Sequence, residues 1–217
     1  MTQTLTQLVT SVQAFLLDDG TRFTTATITA AVRAALATWN QYAPINAATR
    51  IDAVTDQHDY ELSDEPDAST AITITDILAW DDDGDEHIPL AYTQWTEDER
   101  IFFRLFTAQT TGDEILARFT QPHTVNGLDS ATESTLSALF DNTLIKGAAA
   151  EACAIRSRSR TETINLQSQV TPTYAQIATQ LRAEFLAELR IIAERNKIPT
   201  SYPASGSWQD SYHSWDQ

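Results

Sequence analysis

The densest group of residues that could do chemistry is the run Asp81-Asp-Asp-Gly-Asp-Glu86. Hard cations want several carboxylate oxygens, and the alternating Asp81, Asp83 and Asp85 resemble the start of a calcium loop. The glycine, however, stands fourth instead of sixth, and no Glu follows at the twelfth position. Asp-Gly between two stretches of strand character is also a hairpin signal. The run therefore reads first as a solvated hairpin tip, with a weak cation site at Asp81, Asp83 and Asp85 as the alternative.

Other reactive constellations do not form in the sequence. It has no Gly-rich phosphate loop, no Gly-x-Ser-x-Gly elbow and no pair of histidines at metal spacing. His58, His87, His123 and His213 fall in segments of loop or tail character. Cys153 has apolar neighbours and reads as inert packing. A single cysteine excludes an intrachain disulfide and suits a reducing compartment. No enzyme activity, cofactor or metal is expected; a hydrolase or metal-dependent enzyme would have to use the Asp81–Glu86 loop.

Two features point to partners. Arg156, Arg158 and Arg160 form a small basic group on an acidic chain. Solvated surface or intersubunit ion pairs explain it simply, and contact with a phosphate backbone or an acidic partner is the sharper alternative. The C-terminal residues 199–217 are rich in Ser, Gly and Pro, yet carry Tyr202, Trp208, Tyr212 and Trp215. Trp and Tyr anchor interfaces. A docking tail, seated on another subunit or a partner, is the expectation; folding back on its own helices is the alternative.

The totals bound what must position these groups. The chain has 217 residues, 42% of them hydrophobic, enough for a sizeable core. No apolar run approaches the ~20 residues of a membrane span, and the N-terminus lacks a signal-peptide pattern. With 30 acidic against 14 basic residues the formal charge is −16. Such a surface repels nucleic acid overall, which argues against gripping DNA but suits a conduit that DNA slides through.

Apolar spacing predicts a helix from Leu5 to Leu16, stopped by Asp18-Asp19-Gly20, and a second one capped by Thr24 or Thr25 and ending before Pro44. From Ile51 to about Thr120 the period shortens towards two. Strands are expected at 51–55, 59–62, 71–80, 88–90, 100–106 and 114–120, in an antiparallel meander. Tyr92 to Glu99, with Trp95, reads as a short helical turn. Helix returns at Leu136–Ile155 and continues through Arg160, with Leu136, Leu139, Phe140, Leu144 and Ala148 on its buried face. The small residues of Gly147-Ala-Ala-Ala-Glu-Ala-Cys-Ala154 would let other helices approach closely. A last helix starts at Thr171-Pro172 and runs to about Lys197. The expected fold class is α+β, mainly α: a four-helix bundle (1–50 and 123–198) with an inserted small antiparallel β domain (51–122) and an extended C-terminal docking tail (199–217).

Three segments carry a resemblance. Phe23-Thr-Thr…Ile28-Thr-Ala-Ala-Val-Arg-Ala-Ala-Leu36 stands as an aromatic, a cap and an "I…AL" helix. His58-Asp-Tyr-Glu-Leu62 is similar to a "Y-x-L-P" strand entry, with the proline delayed to Pro66. Glu114–Pro122 leads into Leu144-Ile-Lys-Gly-Ala-Ala-Ala-Glu-Ala152, like a strand, a proline loop and an "L-I-x-G-A-A" helix. In this order they resemble the head-to-tail connector (adaptor) proteins of tailed phages and related viruses. The resemblance implies a virion protein of the neck, assembled in the host cytoplasm. It would form a ring, commonly of twelve copies, beneath the portal protein. Such a ring extends the DNA channel without sequence-specific binding, touches no membrane and presents a face to the next neck or tail-completion protein. In such families the C-terminal segment often reaches the portal or a neighbouring subunit. A competing expectation is a non-enzymatic binding module that uses the β insertion for ligand or receptor recognition.

Overall fold

The computed structural model describes residues 3–80, 87–161 and 170–196. The first helix, α1 (Leu5–Phe15), opens on a capping box: the Thr4 hydroxyl accepts from the Gln7 amide while the Gln7 side chain accepts from the Thr4 N–H. It stops where Leu17 turns into the left-handed region at φ 51°. The Asp18 carboxylate then accepts the N–H groups of Gly20, Arg22 and Phe23, which fixes the turn into the next helix. Thr24 caps α2 (Thr25–Tyr42), whose Ile28, Ala31, Val32, Ala35, Leu36 and Trp39 are all buried.

Seven strands follow: β1 (Ile45–Asp52), β2 (Asp59–Glu61), β3 (Thr73–Trp80), β4 (His87–Pro89), β5 (Tyr92–Glu97), β6 (Arg100–Leu105) and β7 (Glu114–Gln121). They make two antiparallel sheets, ordered β1-β7-β3-β4 and β2-β6-β5. The first and last strands of the region lie side by side, from Ile45↔Gln121 to Asp52↔Glu114. Period-two alternation turns Ile115, Ala117 and Phe119 of β7 and Ile101, Phe103 and Leu105 of β6 inward, onto one shared core. Gln94 ties the sheets together. Its Oε1 accepts from the Ile74 N–H (3.0 Å) at the irregularity in β3, and its Nε2 donates to Thr73 Oγ1 (3.0 Å).

The chain returns to helix through 122–140, a loop held by Arg33, whose Nε donates to both Asp129 oxygens (3.0 and 2.9 Å). After a short 3-10 turn come α3 (Asp141–Thr161) and α4 (Val170–Asn196). α3 touches each of the other helices. Leu144, Ala148, Ala149, Ala152 and Cys153 sit buried among Trp39, Phe185, Leu189 and Ile192. Across this seam the Thr143 hydroxyl (2.6 Å) and the Lys146 ammonium donate to the Glu188 carboxylate, and Arg182 donates to Glu151.

The expected four-helix bundle with a small β insertion is overturned. The β part is seven strands in two sheets with a core of its own, and the helices are unequal, at 11, 18, 21 and 27 residues. The strand order is not a meander either, because β7 inserts between β1 and β3. Three local expectations also change. Residues 92–97 are a strand, not a helical turn; β1 begins at Ile45 instead of Ile51; and α3 begins at Asp141, leaving Leu139 86% exposed where a buried face was expected. For the two strands, pairing across the sheet acts on residues whose own pattern is weak. At Leu139, capping by Ser137 bends the chain into a 3-10 turn before α3 starts.

Candidate interaction surface

Strand β6 builds the surface. Its sequence Arg-Ile-Phe-Phe-Arg-Leu alternates, so that while Ile101, Phe103 and Leu105 go inward, Arg100, Phe102 and Arg104 share the outer face. On its flanks β2 sets Asp59 opposite Arg104 and Glu61 opposite Phe102. β5 sets Thr93, Trp95 and Glu97 opposite Arg104, Phe102 and Arg100. Beneath, Tyr60 stacks on Phe103 with centroids 5.3 Å apart.

The outer face is organised in rows. Trp95 stacks on Phe102, centroids 5.5 Å apart and rings 13° from parallel, and stays 37% exposed. On one side the Arg104 Nε and Nη2 grip the two Asp59 oxygens at 2.5 and 2.6 Å; on the other Arg100 Nη1 reaches Glu61 Oε1 at 3.1 Å. The Arg104 hydrogen bond holds the Asp59 carboxyl below the usual carboxylate range, and the same bond raises the Arg104 guanidinium. An aromatic platform between two ion pairs, one of them forked, is suited to protein contact. Sequence reasoning saw the inward set of β6 but assigned Trp95 to a helical turn, so this face went unseen. The signal was there in Arg100, Phe102 and Arg104, the outward complement of the alternation.

A second feature is a cleft of about 320 Å³ lined by Pro44, Ile45, Asn46, His123, Thr135 and Asn196, where the helices meet the first sheet. The His123 N–H donates to Asn40 Oδ1 (2.7 Å), and its Nδ1 lies 3.2 Å from Thr135 Oγ1. The His123 ring sits edge-on to Trp39, and burial pushes the imidazole below its ordinary value. Asn46 donates to the Asn196 carbonyl across the cleft (2.9 Å). Two leucines also stand out, Leu17 at 91% and Leu139 at 86% exposed.

Arg156 and Arg158 lie towards the end of α3, the first partly buried and the second exposed; Arg160 belongs to the same helix, with its side chain outside the described residues. Asp81, Asp83 and Asp85, and the tail residues Tyr202, Trp208, Tyr212 and Trp215, also lie outside the described residues. The strands on either side of 81–86, β3 and β4, are paired antiparallel up to Trp80↔His87. His58 Nδ1 lies 2.8 Å from the Leu105 carbonyl oxygen. Among the described residues no three His, Cys, Asp or Glu side chains converge as a metal site. No protein-family model and no curated protein matches the sequence.

Proposed function

We propose that the chain is a structural virion protein, a head-to-tail adaptor that assembles as a ring beneath the portal. In this reading the ring extends the DNA channel, and residues 199–217 anchor it to the portal or to neighbouring copies through Tyr202, Trp208, Tyr212 and Trp215. The opposite end receives the next neck or tail component, so the protein resides in the virion neck after assembly in the host cytoplasm. The observation that supports the reading best is the use of the three resemblance segments. Ile28–Leu36 supplies the buried face of α2, Tyr60 and Leu62 anchor the second sheet, and Leu144–Ala152 is the tightly packed part of α3. The −16 charge favours a channel wall to which DNA does not adhere. Arg156 and Arg158 are candidates for contact with an acidic partner at the end of α3. No described helix is long and apolar enough to cross a membrane.

The test is mixing purified chain with portal and imaging the product by negative stain, alongside native mass spectrometry. Rings on the portal are expected. A chain truncated after Pro199 should stay folded and fail to join particles. Monomers that ignore the portal would overturn the adaptor reading, and normal incorporation of the truncated chain would remove the role given to the tail.

A further inference from the structure

Among the described strands, β5 is the one long edge left unguarded. Natural edge strands are blunted by shortness, proline, lysine, bulges or cover. β2 and β4 are three residues each, and β4 ends in Pro89. β1 is long, but the 3-10 turn Pro66–Ala68 packs against it and Asn196 bonds to its Asn46. β5 is Tyr-Thr-Gln-Trp-Thr-Glu, with four of its six residues of high strand propensity and one charged, and Thr93 to Glu97 are all exposed. Its inner neighbour β6 occupies only one edge, so a row of backbone N–H and C=O groups faces outward.

We infer that the free edge of β5 pairs antiparallel with β5 of a second copy, about a two-fold axis at Trp95. With the axis normal to the sheet, side chains facing each other must share a face, which sets Trp95 opposite Trp95 and Thr93 opposite Glu97 of the second copy. The outer rows then continue without conflict. One runs Asp59, Arg104, Thr93, then Glu97 and Arg100 of the second copy, so acid and base keep alternating across the junction. The next runs Glu61, Phe102, Trp95, then Trp95 and Phe102 of the second copy, a continuous four-ring aromatic strip between two carboxylates. The two sheets merge into one of six strands, β2-β6-β5-β5-β6-β2. This charge pattern is what selects a second copy over a foreign strand: the face is complementary to itself. The pair is a property of the free chain and does not rest on the adaptor reading.

Sedimentation velocity of the full chain, from low to high micromolar, tests this. The salt should be physiological, where screening over about 8 Å keeps the two −16 charges from opposing contact. A monomer–dimer equilibrium is expected. Trp95→Lys, which sets like charges face to face at the axis, should give monomers at every concentration with an unchanged circular dichroism spectrum, whereas Trp95→Phe should still dimerise. As a measure independent of any variant, the backbone amides of β5 should exchange hydrogen more slowly as concentration rises. Wild-type monomers throughout, trimers or larger species, a dimer that Trp95→Lys leaves intact, or β5 exchange independent of concentration would each overturn the pairing.

Discussion

A Cβ placed on Gly147 would lie 2.8 Å from both Cε2 and Cζ of the Phe185 ring. No real Cβ sits that close to a ring, so the glycine is what lets α4 approach α3. Phe185 is 3% exposed and tilted against Trp39 at 6.4 Å, which leaves the ring little room to swing away. Alanine at this position gains about 1 kcal/mol of helix propensity but overpacks the seam by about 1–3 kcal/mol. Gly147→Ala should therefore lower stability in urea by up to about 2 kcal/mol, and Gly147→Leu by more. Phe185→Leu should make Gly147→Ala less costly, as a double-mutant cycle would read. A raised midpoint for Gly147→Ala alone would mean that the ring moves aside.

The β5–β6 hairpin turns on Asp98 and Glu99, both at positive φ (47° and 64°) between the pair Glu97↔Arg100. Two-residue turns of this kind favour Asn-Gly, because left-handed backbone strains a side chain at Cβ. Asp98→Asn with Glu99→Gly should raise stability by about 1 kcal/mol. A thermal melt checks it, and an unchanged or lower transition would refute it.

Leu17 combines the same strain, φ 51°, with 91% exposure. Nothing in the described chain repays a leucine there, since asparagine tolerates left-handed backbone better. Leu17→Asn should stabilise the isolated chain by about 0.5–1 kcal/mol in chemical denaturation.

Two groups set separate pH windows. Burial holds His123 below its ordinary 6.5, so the unfolded chain takes up the proton first. Its contribution is present above pH 6.5 and is lost as pH falls from there through the folded value. Burial pushes the Glu188 carboxyl up, but the hydrogen bonds from Lys146 and Thr143 outweigh it and leave the group below its ordinary 4.5. That stability is present above pH 4.5 and is lost below it. Denaturation across pH should show His123→Gln flattening the upper window and Glu188→Gln the lower one; if either variant leaves its window's slope unchanged, the assignment fails.

Burial pushes the Cys153 thiol up to about 11. The thiolate is the reactive form, so a thiol reagent at pH 8 should label the native chain only as fast as it unfolds, and the denatured chain at once. Rapid labelling of native protein would show that the small-residue face of α3 is open.

Much of the helical part was legible because its signals are local. Thr24 caps, Asp18 stops, and the apolar spacing of α2 names its buried face. Gly147 among alanines announced a close approach, and Phe185 is the residue that approaches. Strands β3, β6 and β7 were readable because one face of each is buried. β5 was not, since a strand exposed from Thr93 to Glu97 has no hydrophobic period to read, and β1, with Ala47, Ala48 and Thr49, has a weak one. Leu139 fell at the right spacing for a buried helical face but precedes the first turn of α3, where spacing no longer measures direction.

The sequence alone determined the four helices, the strands with a buried face and their order, the acidic charge and the need for a small residue where α3 is crossed. Each depends on a residue and its near neighbours, through backbone preference, capping and period. Tertiary structure alone decided that β1 and β7 are partners, that the strands divide into two sheets, that Trp95 lies over Phe102 and that β5 keeps a free edge. These depend on pairing between residues tens of positions apart. Hydrogen bonding is alike for every backbone, so only the summed burial of both sheets selects which strands meet.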